Sequence, residues 1–231
     1  MDIDVLYNLI LLAIPVIVAI TFHEAAHGYV ALHFGDSTAK DEGRVTLNPL
    51  KHIDPFGTIL LPAMLYFTAG FLFGYAKPVP VKFGQLRNPR WDMIWVAIAG
   101  PAMNITLAVV SAILLLTLTG GPGDNSPLAQ VLFTSLYLNA VLAVFNMLPL
   151  PPLDGSKVLA PLLPIALAQP YLALERFGML FLLLIFLAPI VAQRAGIDFD
   201  VMGPLVLQPA QEIVVTILRV LGADLLPVPI R

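Results

Sequence analysis

Three ionisable side chains inside an apolar run of bilayer length leave this chain few ways to fold. From about Leu6 to Phe34 the sequence is long and apolar enough to cross a membrane, yet its second half contains His23-Glu24-Ala25-Ala26-His27. An ionisable residue at the centre of a span costs about 2.5–3.5 kcal/mol on insertion scales, so three within two turns need a common purpose. Residues four apart share a helix face, so His23 and His27 can aim at one ion while Glu24 sits one position round. Zinc at such a site brings the pKa of a water molecule toward neutrality, and a neighbouring carboxylate can take its proton and pass it to a leaving amine. The spacing therefore predicts one Zn2+ per chain, with His23 and His27 as ligands and Glu24 as general base.

The remaining sequence fits a membrane setting. Of its 231 residues, 58% are hydrophobic and 12% charged, against about 25% charged in a soluble domain. The net charge of -3 has no acidic or basic block behind it, so nothing points to nucleic acid, and the absence of cysteine rules out disulfides and thiolate ligands. The first apolar run lacks a basic leader and a small-residue cleavage site, so it reads as a retained span. Further spans are expected at about 91–119, 128–148, 171–192 and 202–221. An interrupted apolar segment at 55–76 contains Pro62, Gly70 and Gly74. Arg44 to Leu47 and Val79 to Phe83 read as short extended segments, the second next to Pro78 and Pro80. The fold class expected is an all-α polytopic membrane protein, a single membrane-embedded domain over 1–231. It would have about five to six transmembrane segments, a small membrane-associated β-hairpin or sheet and a re-entrant segment.

A catalytic zinc takes three protein ligands, and two histidines leave one to find. Asp154 is the candidate, because it follows the helix-breaking run Pro149-Leu150-Pro151-Pro152-Leu153 and Gly155 allows close passage of the chain. His23 and His27 lie toward the C-terminal end of the first span, and Asp154 lies just past the end of the 128–148 span. They share a depth only if those two spans run in the same direction. An even number of crossings must then separate Phe34 from Trp91, so residues 55–76 should re-enter instead of spanning. Lys77, Lys82, Arg87 and Arg90 precede the 91–119 span, while Gly120 to Pro127 holds no Lys or Arg. The positive-inside rule then puts the N-terminus outside and the metal site toward the cytoplasmic face of a cell membrane.

These residues also match a family. The HEAAH sequence, Ala99-Gly100-Pro101-Ala102-Met103-Asn104 and Asn146-Met147-Leu148-Pro149-Leu150-Pro151-Pro152-Leu153-Asp154-Gly155 occur in that order. Together they closely resemble the site-2 protease family of intramembrane zinc metalloproteases, in its compact prokaryotic branch without a PDZ domain. The resemblance implies zinc on His23, His27 and Asp154, Glu24 as base, and Asn104 as a membrane asparagine that holds the substrate backbone or the oxyanion. It implies as partners the lipid bilayer and a membrane-protein or signal-peptide substrate, cut within or beside its transmembrane segment. The extended segments resemble the family's membrane-associated sheet, which can pair with an unwound substrate edge to edge.

His33 and His52 read as interfacial hydrogen bonders, and Glu175-Arg176 as a membrane edge. Two other readings stay open: a divalent-metal transporter, which would have no use for Glu24, and a proteolytically inactive scaffold.

Overall fold

Apolar length decides where this chain is helical, and proline opens two of its long helices. In a computed structural model, which describes residues 3–62, 64–65, 74–197 and 199–223, helix α1 covers Ile3–His33 and carries the HEAAH sequence. Helix α2, Pro89–Leu118, starts on a proline, whose missing N–H costs nothing in a first turn. Helix α3, Pro127–Asn146, starts likewise and is capped by Ser126, whose hydroxyl accepts the Ala129 N–H. Beyond the proline-rich turn after Asn146 come the short α4, Asp154–Leu159, and then α5, Ile165–Ala173, α6, Gly178–Arg194, and α7, Gln208–Val220.

Buried hydrogen bonds give the directions of the first three helices. His23 meets Asn104 and His27 meets Val96, so rising numbers on α1 pair with falling numbers on α2. Asn104 meets Asn139 and Ser111 meets Ser135, so α2 and α3 are also antiparallel. Helices α1 and α3 therefore run in the same direction, as a shared site for His23, His27 and Asp154 requires. Ala108 and Ala112 of α2, Leu136 and Ala140 of α3, and Ala210, Val214 and Leu218 of α7 form one buried core. Alanine at the crossing lets the α2 and α3 backbones approach closely. Ile14, Ile17, Val110, Ile113 and Leu118 point outward and exposed, the expected pattern for a surface covered by lipid.

Among the described residues, four segments have the length and composition to cross a membrane: Leu11–His33, Pro89–Leu118, Pro127–Asn146 and Ile165–Arg194. The expected five to six spans are not found among these residues. The segment expected at 202–221 is π-helical over Gly203–Leu207 and then forms α7, which places Gln211, Glu212 and Arg219 among its apolar residues. With Ala210, Val214 and Leu218 spaced four apart it is an amphipathic brace against α2 and α3.

The expected β-hairpin is also corrected, since no strand occurs among the described residues. Around Arg44 the backbone bonds are local: Arg44 N–H donates to Ala39 and Thr46 N–H to Arg44. In residues 77–82, Pro78 and Pro80 have no N–H to give a ladder. Lys77 N–H goes to the His52 carbonyl, while Val79 and Lys82 donate to the carboxylates of Glu24 and Asp36. We call residues 77–83 the strap.

The segment expected to re-enter begins with a π-helix at Pro55–Leu60 capped by Asp54. Its far end returns to its start, because Tyr75 N–H donates to the Gly57 carbonyl at 3.0 Å and the Thr58 hydroxyl to the Tyr75 carbonyl at 2.9 Å. Residues 63 and 66–73 of that expectation lie outside the described residues. The Arg87 N–H then bonds Phe34 O at 2.9 Å, so the chain between α1 and α2 starts and ends on the same side of the helices.

Candidate active site

On α2, Val96, Gly100 and Asn104 are spaced four apart and face the two histidines of α1. The Nδ1 of His27 lies 2.7 Å from the Val96 carbonyl and that of His23 lies 2.6 Å from Asn104 Oδ1. Gly100 sits between these contacts, and a Cβ there would overlap both imidazole rings. The absent side chain is what lets the rings pack against the helix.

These contacts turn both Nε2 atoms toward each other, 3.0 Å apart. A backbone carbonyl can only accept, so His27 Nδ1 carries the proton and its Nε2 presents a lone pair. Asp154 Oδ2 lies 3.2 Å from His23 Nε2 and 3.3 Å from His27 Nε2. His23, His27 and Asp154 are all buried, and they form the one possible metal-holding group of three among the described residues. Three facing electron pairs in a buried site need a positive charge at their centre, a shared proton or a metal ion. Tetrahedral zinc with ligand distances of about 2.0–2.1 Å sets its ligand atoms about 3.3 Å apart, so the donor set and its spacing fit zinc.

Asp154 reaches this point from the turn after α3. Leu150 N–H bonds Leu148 O and Leu153 N–H bonds Leu150 O, winding the chain back under α3, and Ser156 N–H and Oγ both donate to Leu153 O. A Cβ on Gly155 would overlap the Met147 carbonyl, so the turn closes only around glycine.

Glu24 lines the same cleft, of about 800 Å3, with the three donor residues, Asn146 at the end of α3, and Leu182 of α6. Its Oε2 accepts the Val79 N–H at 2.7 Å. Gly28, one turn further along α1, leaves room for Val79 and Val45, whose methyls would lie 3.2 Å from a Cβ there. Buried Arg44 donates to the carbonyls of Lys77 and Pro78. At the other end of the strap, burial pushes the Asp36 carboxyl up, but bonds from Thr38 and the Lys82 N–H more than reverse this and hold it below the ordinary value. Across the mouth, Lys157 and Glu175 face each other at 3.7 Å.

Asn104, implied to hold substrate, is fully buried, with its NH2 donating to Asn139 Oδ1 at 2.8 Å and its carbonyl on His23. Both of its polar atoms are thus engaged between helices. His33 lies at the end of α1, where its carbonyl accepts from Arg87, and His52 holds the Thr46 carbonyl through Nε2 at 2.9 Å. Neither joins the metal-holding group. Sequence reasoning missed Asn139, although a fully buried asparagine in an apolar span is itself a signal. It also missed the contacts of Val96 O and Val79 N–H, which are backbone groups with no residue signature.

The profile of peptidase family M50 matches residues 11–135. A Bacillus subtilis protein named "Putative zinc metalloprotease YwhC" is 41% identical over 184 residues, 78% of this chain and 81% of the relative. The similarly named Rip2 of Mycobacterium tuberculosis is 32% identical over 177 residues, covering 75% of this chain and 65% of Rip2. MJ0611 of Methanocaldococcus jannaschii, named in the same way, is 34% identical over 142 residues, 60% of this chain and 63% of the relative. No solved structure matches.

Proposed function

The chain belongs to peptidase family M50, the site-2 protease family of zinc metalloproteases, and on that premise we propose that it is an intramembrane endopeptidase cutting transmembrane segments of membrane proteins or signal-peptide remnants. The observation that carries this reading is the convergence of His23 Nε2, His27 Nε2 and Asp154 Oδ2 in a cleft among apolar helices, with Glu24 on its wall.

His23, His27 and Asp154 would hold the metal. Bound there, zinc supplies a Lewis acid that polarises a peptide carbonyl and brings a water molecule's pKa toward neutrality. Glu24, on the wall of the same cleft, would take the proton of an attacking water and pass it to the leaving amine. The Val79 N–H keeps one Glu24 oxygen in place and leaves the other to the cleft. Val96 O and Asn104 orient the imidazoles, so Asn104 acts through His23. A substrate helix must unwind to offer its carbonyl, because helix carbonyls are already bonded. The basic residues Lys77, Lys82, Arg87 and Arg90 lie on the same side as the strap, which supports a cytoplasm-facing site in a multi-pass protein.

Glu24→Gln tests this with single-pass membrane-protein and signal-peptide reporters in detergent. The variant should keep one zinc per chain and lose about 10²–10⁴-fold in cleavage rate. Cleavage at the wild-type rate would refute the mechanism. Zinc flux into vesicles that survives Glu24→Gln, with no cleavage by the wild type, would favour the transporter.

A further inference from the structure

A line of buried polar groups runs from the candidate metal centre into the apolar core, and only one end of it is fixed by an unambiguous partner. Asn139, fully buried on α3, lies 2.9 Å from the carbonyl of Ser135, one turn back on its own helix. A backbone carbonyl accepts and never donates, so the Asn139 atom facing it is the NH2 group. Its Oδ1 must then face Asn104, at 2.8 Å. An oxygen at that position requires an N–H opposite, so Asn104 turns its NH2 toward Asn139 and its Oδ1 toward His23. The last contact, 2.6 Å long, therefore requires the proton on His23 Nδ1 and leaves the lone pair on Nε2, facing His27 and Asp154. Were Asn104 reversed, its NH2 would donate to His23 Nδ1, the proton would move to Nε2, and the ring could not serve as a ligand.

We propose that Asn139 is a positioning residue for the metal centre, anchored on the Ser135 carbonyl so that it fixes the Asn104 amide and, through it, the metal-binding tautomer of His23. The inference rests on the reading of His23 as a zinc ligand and deepens it. His27 needs no such relay, because Val96 O sets its tautomer directly. The competing account treats the Asn104–Asn139 bond as ordinary adhesion between α2 and α3.

Zinc affinity separates the two accounts. Asn139→Leu frees the Asn104 amide to reverse, and should weaken zinc by about 10–100-fold in chelator competition on the purified protein. Adding Asn104→Asp to that variant should restore affinity to within several-fold of wild type. A carboxylate has no N–H and can only accept from His23, so it enforces the tautomer without Asn139. Adhesion predicts no recovery, since the bond between α2 and α3 is already lost in Asn139→Leu and Asn104→Asp does not restore it. Wild-type affinity in Asn139→Leu, or a double variant no better than it, overturns the proposal. If Asn139→Leu is not recovered folded, Asn139→Ala, which only removes atoms, is read in the same way. His23→Ala keeps the two readings apart: wild-type zinc binding in that variant removes the site itself, whereas its loss alongside normal binding by Asn139→Leu removes only the role of Asn139.

Discussion

Adding one methyl group at Gly100 should damage the metal centre while leaving every candidate ligand in the sequence. A Cβ at this position would overlap His23 Nε2 and Cε1 and His27 Nε2. Neither ring can swing away freely, because each is held to α2 by its Nδ1, His27 on Val96 O and His23 on Asn104 Oδ1. Two responses are available. Either α2 backs off from α1, at the roughly 1–3 kcal/mol typical of overpacking, or a ring turns and gives up its bond, worth about 0.5–1.5 kcal/mol. In both cases an outer hydrogen bond to a ligand is lost or stretched, a change that lowers metal affinity by about 10–100-fold. The assay is zinc competition against a chelator for Gly100→Ala in detergent, beside Gly123→Ala, whose added Cβ would meet nothing within 4 Å. Gly123→Ala should match wild type. Equal zinc affinity in Gly100→Ala would show that α2 does not press on the imidazoles, and the argument for their orientation would fall with it.

Two further outcomes follow from the strap. Val79→Pro removes the N–H that Glu24 accepts and also replaces the buried methyls beside Gly28, whereas Val79→Ala removes the methyls and keeps the N–H; with zinc retained, kcat in Val79→Pro should fall about 10-fold or more below that of Val79→Ala, the scale of a lost charge-assisted bond, and equal kcat in the two variants would remove the Val79 N–H from the mechanism. Asp36, outside the spans, has its carboxyl lowered by the bonds from Thr38 and Lys82. A group depressed in the folded state lends stability above its ordinary pKa and loses it as pH falls through the folded value, so thermal stability in detergent should decline in acid below about pH 5. In Asp36→Asn stability should be lower at neutral pH and that part of the acid slope should be gone; identical pH curves for variant and wild type would count against it.

Much of the candidate site could be read from sequence because metal chemistry uses side chains at fixed spacings. His23 and His27 follow from helical periodicity, and Asp154 follows from the need for a third ligand and the prolines that end α3. The parallel course of α1 and α3 followed from the same requirement. What escaped was carried by groups without letters of their own: the Val96 carbonyl, the Val79 N–H, and the space beside Gly100. The strand expectation fails because Pro78 and Pro80 have no N–H for a ladder and the N–H groups of Val79 and Lys82 go to carboxylates. The 202–221 expectation failed because average apolarity hid the polar face of α7. Asn104 was seen, but its partner Asn139, 35 positions on, became visible only when α2 and α3 were set side by side.

Asp154 sits on a different structural unit from the two histidines, and this limits how a peptide can be admitted. The histidines belong to α1 and the carboxylate to the first residue of α4, so any widening between those units pulls the three donor atoms apart. A wall that moves during turnover must be one that carries no donor. The strap is bonded to Glu24, Asp36, Arg44 and His52, and one of those bonds holds the Glu24 carboxylate. On the other side α6 follows a segment joined to α4 by the 3.7 Å pair of Lys157 with half-exposed Glu175, a contact of a kind worth about 0–1 kcal/mol. Tyr171 adds one hydrogen bond, to the Pro149 carbonyl. If the chain cuts transmembrane peptides as proposed, α6 is the wall among the described residues that could shift to admit one while all three donor atoms stay together.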